Sequence, residues 1–327
     1  MTRIERALML GLMAGGLLSG CSDWDATTLP AEPEAAVRPA EDQLRREAVI
    51  TIDAPGAIGT FALDINDARA IVGRYRTDDG AVHGFLRRRS GEFVAIDFPG
   101  SVYTVATGIN ERGDISGQYA PPEDLDARHG FLLRGGHFTT LDPPGSVFTN
   151  ASGINDRGDV TGRAFPPDGG RMGFRLRHGA YAMIEFPGAV ETNAWRSTNA
   201  GVILGLYIDA DDRSRLFLAR GDKLSALKLP IENPLASENG DINSRGDVVA
   251  TYCDESPCTW LSQGAHGLLM SRHGHAITTI DVPGAPSTAA IGLNEHGDLV
   301  GGYLDADGVA HGFLMQREAA AIGIASH

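Results

Sequence analysis

The stretch Thr107 to Tyr119, TGINERGDISGQY, returns five more times along the chain in altered form. With the asparagine as marker, copies fall at Asn66, Asn110, Asn155, Asn199, Asn243 and Asn294, in steps of 44, 45, 44, 44 and 51 residues. Six such units in 327 residues predict a repeat fold. In the second unit four short runs are separated by turn residues: Tyr103 to Asn110, Asp114 to Tyr119, His129 to Leu132 and His137 to Asp142. Gly, Pro, Asn and Asp punctuate them as expected of antiparallel strands joined by hairpins.

Two recurrent glycines have separate reasons. Gly113 ends an Asn-x-x-Gly turn, where one residue takes positive φ and the asparagine side chain can cap the turn. Gly117 lies inside the second strand, where a missing side chain lets a neighbouring backbone come close. An Asp-x-Pro-Gly corner follows the fourth strand, and its proline stops the ladder.

Six four-stranded units predict an all-β, six-bladed β-propeller, in which radial repetition hides most sheet edges. A β-solenoid is the rival, although solenoid repeats are usually shorter. Ala48 to Asp53 matches a fourth strand, while the last repeat ends at its third, His311 to Leu314. The N-terminal segment is therefore expected to close the ring, with Ala320 to Ile324 as the other candidate.

Composition is that of a globular protein, with 42% hydrophobic and 21% charged residues. A net charge of −14 argues against a nucleic-acid partner, which needs a basic surface. Met1 to Gly20 has the anatomy of a processing signal: Arg3 and Arg6, an apolar run from Ala7 to Leu18, then small residues. Leu18-Ser19-Gly20-Cys21 resembles the bacterial lipobox, which implies a lipid on Cys21 and attachment to a membrane. Ser22 in the next position implies sorting to the outer membrane. An ordinary secretory signal is the alternative. Residues 21–46, rich in Asp, Glu, Ala and Pro, read as a linker, which leaves 47–327 for the propeller.

The set GIN-x-x-G-D-[IV]-x-G-x-Y, HGFL and T-x-[IL]-D-x-PG resembles the HAF repeats of bacterial extracellular repeat proteins, from Ile52 to about Leu314. The fourth repeat departs at Thr198-Asn199-Ala200-Gly201 and Leu216-Phe217-Leu218, and the fifth carries an insertion. The resemblance implies a location and a fold and carries no shared activity.

Three Arg-Gly-Asp triplets, starting at Arg112, Arg157 and Arg245, all fall on the repeat's hairpin turn, which accounts for them without adhesion. His83, His129, His266 and His311 share one repeat position on the third strand, where equivalent side chains diverge from the axis; each is expected to bond a neighbouring group. Acidic turns such as Asp305-Ala306-Asp307-Gly308 invite calcium but lack the twelve-residue loop and terminal Glu, and Asp-Gly alone makes a hairpin turn. Cys253 and Cys258 are expected to pair outside the cytoplasm, with a free redox pair as the lesser reading. No metal site, cofactor or catalytic constellation stands out.

Tyr103, Phe148, Trp195, Arg196 and Arg213 are expected on the face carrying the fourth-to-first and second-to-third loops, where a funnel of aromatic and charged groups suits a glycan or peptide ligand. The aromatics could equally pack between blades. Trp260, in the inserted and cross-linked fifth repeat, is the other candidate anchor, or it packs beneath that loop. The favoured function is a monomeric, envelope-anchored, non-catalytic binding or scaffold module. The alternative is a polysaccharide lyase or hydrolase using the loop face.

Overall fold

The chain enters the fold at β1 (Val49–Ile52), and every repeat then supplies strands in the order the turn residues dictate. The structure, a computed structural model, describes residues 49–317 apart from 168, 230, 232–234, 236–238, 260–261 and 273–276. Blade 1 contains β2 (Gly59–Ile65), β3 (Ile71–Arg76), β4 (Val82–Arg87) and β5 (Phe93–Ile96); blade 2 contains β6 (Tyr103–Ile109), β7 (Ile115–Ala120), β8 (His129–Arg134) and β9 (His137–Leu141). Blade 3 follows with β10 (Phe148–Ile154), β11 (Val160–Phe165), β12 (Met172–Arg177) and β13 (Ala180–Ile184). Blade 4 has β14 (Glu191–Ser197), β15 (Val202–Ile208), β16 (Ser214–Arg220) and β17 (Lys223–Ala226). Blade 5 has β18 (Asp241–Ile242), β19 (Val248–Cys253), β20 (Ala265–Met270) and β21 (Ile277–Ile280). Blade 6 is completed from both ends of the chain: β22 (Ser287–Leu293), β23 (Leu299–Leu304) and β24 (Ala310–Met315) pair in turn, and β1 adds to β24.

The protein is thus an all-β, six-bladed propeller closed by its N-terminal strand, with Val49 opposite Met315 and Ile52 opposite Gly312. Blades 1 and 2 are joined edge to edge by a single parallel pair, Val82 with Tyr103. The other candidate closing strand, Ala320 to Ile324, lies outside the described residues, as do Cys21 and the linker.

The core is a set of layers between successive blades. Ile52, Ala62, Ile71, Phe85, Val300 and Leu314 bring blades 6 and 1 together. Between blades 4 and 5 the layer is the most extensive and includes Trp195, Leu204, Leu216, Val248 and Leu268. A third-strand phenylalanine covers a second-strand glycine in every blade but the fifth: Phe131 lies so close over Gly117 that a Cβ there would meet ring carbon Cε1 at 2.5 Å.

The third-strand histidines tie third strands to the corners. Nδ1 of His83, His129, His266 and His311 lies 2.8–2.9 Å from a carboxylate oxygen of Asp97, Asp142, Asp281 and Asp53 respectively. His311 has a second carboxylate, Asp305, 3.2 Å from Nε2, and it links closing strand β1 to β24. Burial disfavours its cation, but hydrogen bonds and charge from Asp53 and Asp305 outweigh that and raise its pKa. Because the folded pKa exceeds the unfolded one, this contribution is complete below about 6.5 and disappears as pH rises through the folded value. Replacing His311 by Asn is expected to cost about 1 kcal/mol at pH 6 and nearly nothing at pH 9. Denaturant midpoints at both pH values check it; an equal loss at both would remove the charge from the explanation.

Cys253 and Cys258 form a disulfide across the fifth-repeat loop, with Cα atoms 5.4 Å apart.

Candidate functional site

The Asn-x-x-Gly turns build the mouth of the propeller. In the second repeat Asn110 Oδ1 accepts the backbone N–H groups of Arg112 and Asp114, both at 3.0 Å, so the side chain caps its own turn. Its Nδ2 then donates across to the carbonyl of Asn155 in the next blade at 3.2 Å. The same step joins Asn66 to Asn110, Asn155 to Thr198, Asn243 to Asn294, and Asn294 to Asn66. In the fourth repeat the turn position falls on Thr198, one residue before the expected marker Asn199, because Thr198 N bonds Val202 O as Asn110 N bonds Asp114 O.

The residue after each marker makes a second, outer ring. The backbone N–H of Glu295 donates to Asp67, that of Asp67 to Glu111, that of Glu111 to Asp156 and that of Asp156 to Asn199, over 2.7–2.9 Å. Ser244 donates to Glu295 at 2.7 Å. Glu111 titrates above the usual carboxylate range, first because burial disfavours its anion and then because Asp67 and Asp156 repel it, against a stabilising backbone bond from Asp67.

Beneath these rings lies a polar cavity of about 110 Å³ on the propeller axis. At its floor lie Asp64, Arg196 and Asp241, which share one repeat position two residues before the turn residue; the other blades have Gly108, Gly153 and Gly292 there. A β-bulge or register irregularity on the first strand of blades 1, 2, 3, 4 and 6 falls just before that position. Gly153 leaves the space that Arg196 fills, since a Cβ there would meet Arg196 Cδ at 2.7 Å, whereas Gly108 and Gly292 let the backbone of the next blade come close.

Arg196 is 5% exposed, as are Asp64 and Asp241. Its Nη2 donates to the carbonyls of Thr107 at 2.6 Å and Leu63 at 3.2 Å. Arg196 lies 3.7 Å from Asp64 Oδ2 and 3.9 Å from Asp241 Oδ1. Those separations are close enough for attraction and too far for hydrogen bonds. Nε and Nη1 are buried without a hydrogen-bond partner among the described residues. Each aspartate joins two blades: Asp64 accepts from Ile65 and Ile109, and Asp241 from Ile242 and Leu293. Burial raises the pKa of Asp64 against the pull of Arg196. Burial, then repulsion from Asp64, pushes Asp241 up to about 7.

The expected funnel group is divided by this geometry. Arg196 lines the cavity, but the cavity opens at the Asn-x-x-Gly turns, opposite to the corner and loop face where a funnel was expected. Trp195 is fully buried at the interface of blades 4 and 5, and a Cβ on Gly240 would lie 2.5 Å from its ring. Tyr103 packs between blades beneath the Arg128 guanidinium, 3.5 Å from its ring centroid, and Phe148 stacks on Phe165 at 4.3 Å. Tyr103 follows the interblade alternative, whereas Phe148 pairs across strands within blade 3. Arg213 is exposed at an acidic turn, where its N–H donates to Asp209. Trp260 lies outside the described residues. Aspartates of the Arg-Gly-Asp triplets turn inward: Asp114 is 5% exposed and pairs with Arg112 and Arg134. In sequence Asp64 and Asp241 stand out only as the residue two before the Asn66 and Asn243 markers. Counted from Asn199 the fourth repeat has Ser197 there, and only the structural turn position at Thr198 brings Arg196 into line with them.

No family model matches this chain, and no curated protein does. Solved structures share its fold at low identity. SapL1 lectin in complex with alpha methyl fucoside superposes with a TM-score of 0.52 at 11% identity, over 81% of this chain and 94% of that one. An Aleuria aurantia lectin mutant in complex with Fucalpha1-6GlcNAc gives 0.50 at 9% identity, over 81% and 93%. TolB from Acinetobacter baumannii gives 0.50 at 12% identity over 76% and 64%. What these similarities establish is the β-propeller architecture.

Proposed function

We propose that this chain is a non-catalytic glycan-binding module, held at the outer membrane of a bacterial envelope by a lipid on Cys21, with the axial cavity as its binding site. The observation that carries the binding reading is Arg196, a buried guanidinium with two unpartnered N–H donors in a polar, open cavity. Such donors need acceptors, and flanking aspartates are ready to accept in turn. Hydroxyl groups do both, so a sugar edge matches the floor. The cavity volume is that of a few waters, which suits one edge of a pyranose with the rest of the glycan in the open mouth. The propellers named above that are bound to fucosides support the class of ligand by analogy of fold only.

A glycan array probed with the full chain, followed by calorimetry, tests this reading. Asn199→Trp, exposed at the rim, is expected to weaken binding at least about 10-fold by obstructing the mouth while the buried triad stays intact. Unchanged affinity would place the site elsewhere. The lyase or hydrolase reading keeps one supporting observation: Asp241, at about 7, could exchange a proton near neutrality. Release of reducing ends or unsaturated sugars from a bound polysaccharide would decide for it.

A further inference from the structure

We propose that the glycan bound here carries a free amine, so that an amino sugar enters the cavity with its ammonium among the rim carboxylates and a neighbouring hydroxyl accepting from Arg196. This rests on the glycan-binding reading and narrows it. Six carboxyl groups line the cavity, the rim four of Asp67, Glu111, Asp156 and Glu295 and the buried floor pair Asp64 and Asp241, against the single guanidinium of Arg196, so the excess negative charge lies at the rim. A neutral sugar would leave that excess charge uncompensated, whereas a cation lowers it. An acidic sugar would be repelled.

A small inorganic cation fits the arrangement less well than an organic one. The carboxylates are distributed around the rings, each held by a backbone N–H of the preceding blade, except the floor pair. No three acidic, His or Cys groups among the described residues are grouped to hold a metal. An ammonium needs only acceptors spread around it, which a ring provides. Arg196 adds the second requirement. Its Nε and Nη1 ask for an acceptor beside the cation, and a lysine tip offers none. A pyranose amine has hydroxyls on adjacent carbons, so one edge of the ring satisfies both demands.

Calorimetry on the full chain with a glucosamine trimer, its N-acetylated counterpart, a neutral glucose trimer and a lysine-containing tripeptide separates the outcomes. The free-amine sugar is expected to bind about 10- to 100-fold more tightly than the acetylated one, the range for losing a charged hydrogen bond. Its affinity should fall as salt rises. Glu111→Gln with Glu295→Gln keeps an acceptor for each backbone N–H and is expected to reduce the preference about 10-fold. Equal binding of all three sugars would overturn the amine proposal and leave the glycan reading standing. Binding of the peptide alone would overturn both, and so would no binding by any sugar on the trimers and on the array.

Discussion

Gly117→Ala is expected to lower the free energy of unfolding by about 3 kcal/mol, the upper end for overpacking a filled core. The added methyl would collide with the carbonyl oxygen of Val105 on the neighbouring strand and with the Phe131 ring, whose Cε1 would stand at 2.5 Å. Neither can give way easily: Val105 O belongs to the β6–β7 ladder, and Phe131 is fully buried in the layer between blades. Blade 5 shows how the chain meets the same demand differently. There Ala250 and Leu268 replace the glycine and phenylalanine, and among the described residues β18 pairs with β19 only at Asp241–Val249 and Ile242–Val248. Adding Phe131→Leu to Gly117→Ala should therefore recover only about 1 kcal/mol, since it relieves the ring contact and not the backbone one. Urea unfolding of the wild type, Gly117→Ala, Phe131→Leu and the double variant measures this. A loss below about 0.5 kcal/mol for Gly117→Ala would show that the sheet opens to accept the methyl.

Arg196→Met is expected to cost about 3–5 kcal/mol at pH 8, the range for breaking a buried ion pair from one side. Methionine fills similar space, but Asp64 and Asp241 would face each other on the axis without a cation, and the carbonyls of Leu63 and Thr107 would lose their donor. The sign of the pH dependence follows from burial. Asp241 is raised from 3.8 to about 7, so within that window the folded protein holds a proton that the unfolded chain has released. Stability through this group therefore falls as pH rises from about 4 to about 7. Removing Arg196 raises the folded pKa further, so the fall continues to higher pH. Urea midpoints at pH 5 and pH 8 for wild type, Arg196→Met and Asp241→Asn test this. The methionine variant should lose most at pH 8, and the asparagine variant should have the flattest profile of the three. Equal losses at both pH values would mean that Arg196 acts by packing alone.

The repeat spacing and the turn glycines were enough to point to six blades, because strand ends and hairpins are local chemistry. They left both Ala48 to Asp53 and Ala320 to Ile324 open as the closing strand until the pairing of β1 with β24 decided it. Asn110 capping its own turn was legible for the same reason. The pairing of His311 with Asp53 was legible only as a need for some partner, since those residues are 258 positions apart. The site itself was decided by tertiary structure. A first-strand bulge turns Arg196 to the axis and leaves Trp195 covered by blade 5, although the two are adjacent in sequence and were expected in one funnel. Asp64 and Asp241 read as ordinary polar residues beside a turn until ring closure brings blades 1, 4 and 5 together on one axis. Their burial, and the raised pKa that comes from it, exists only there, because the desolvation of a carboxylate depends on everything packed around it and not on its neighbours in the chain.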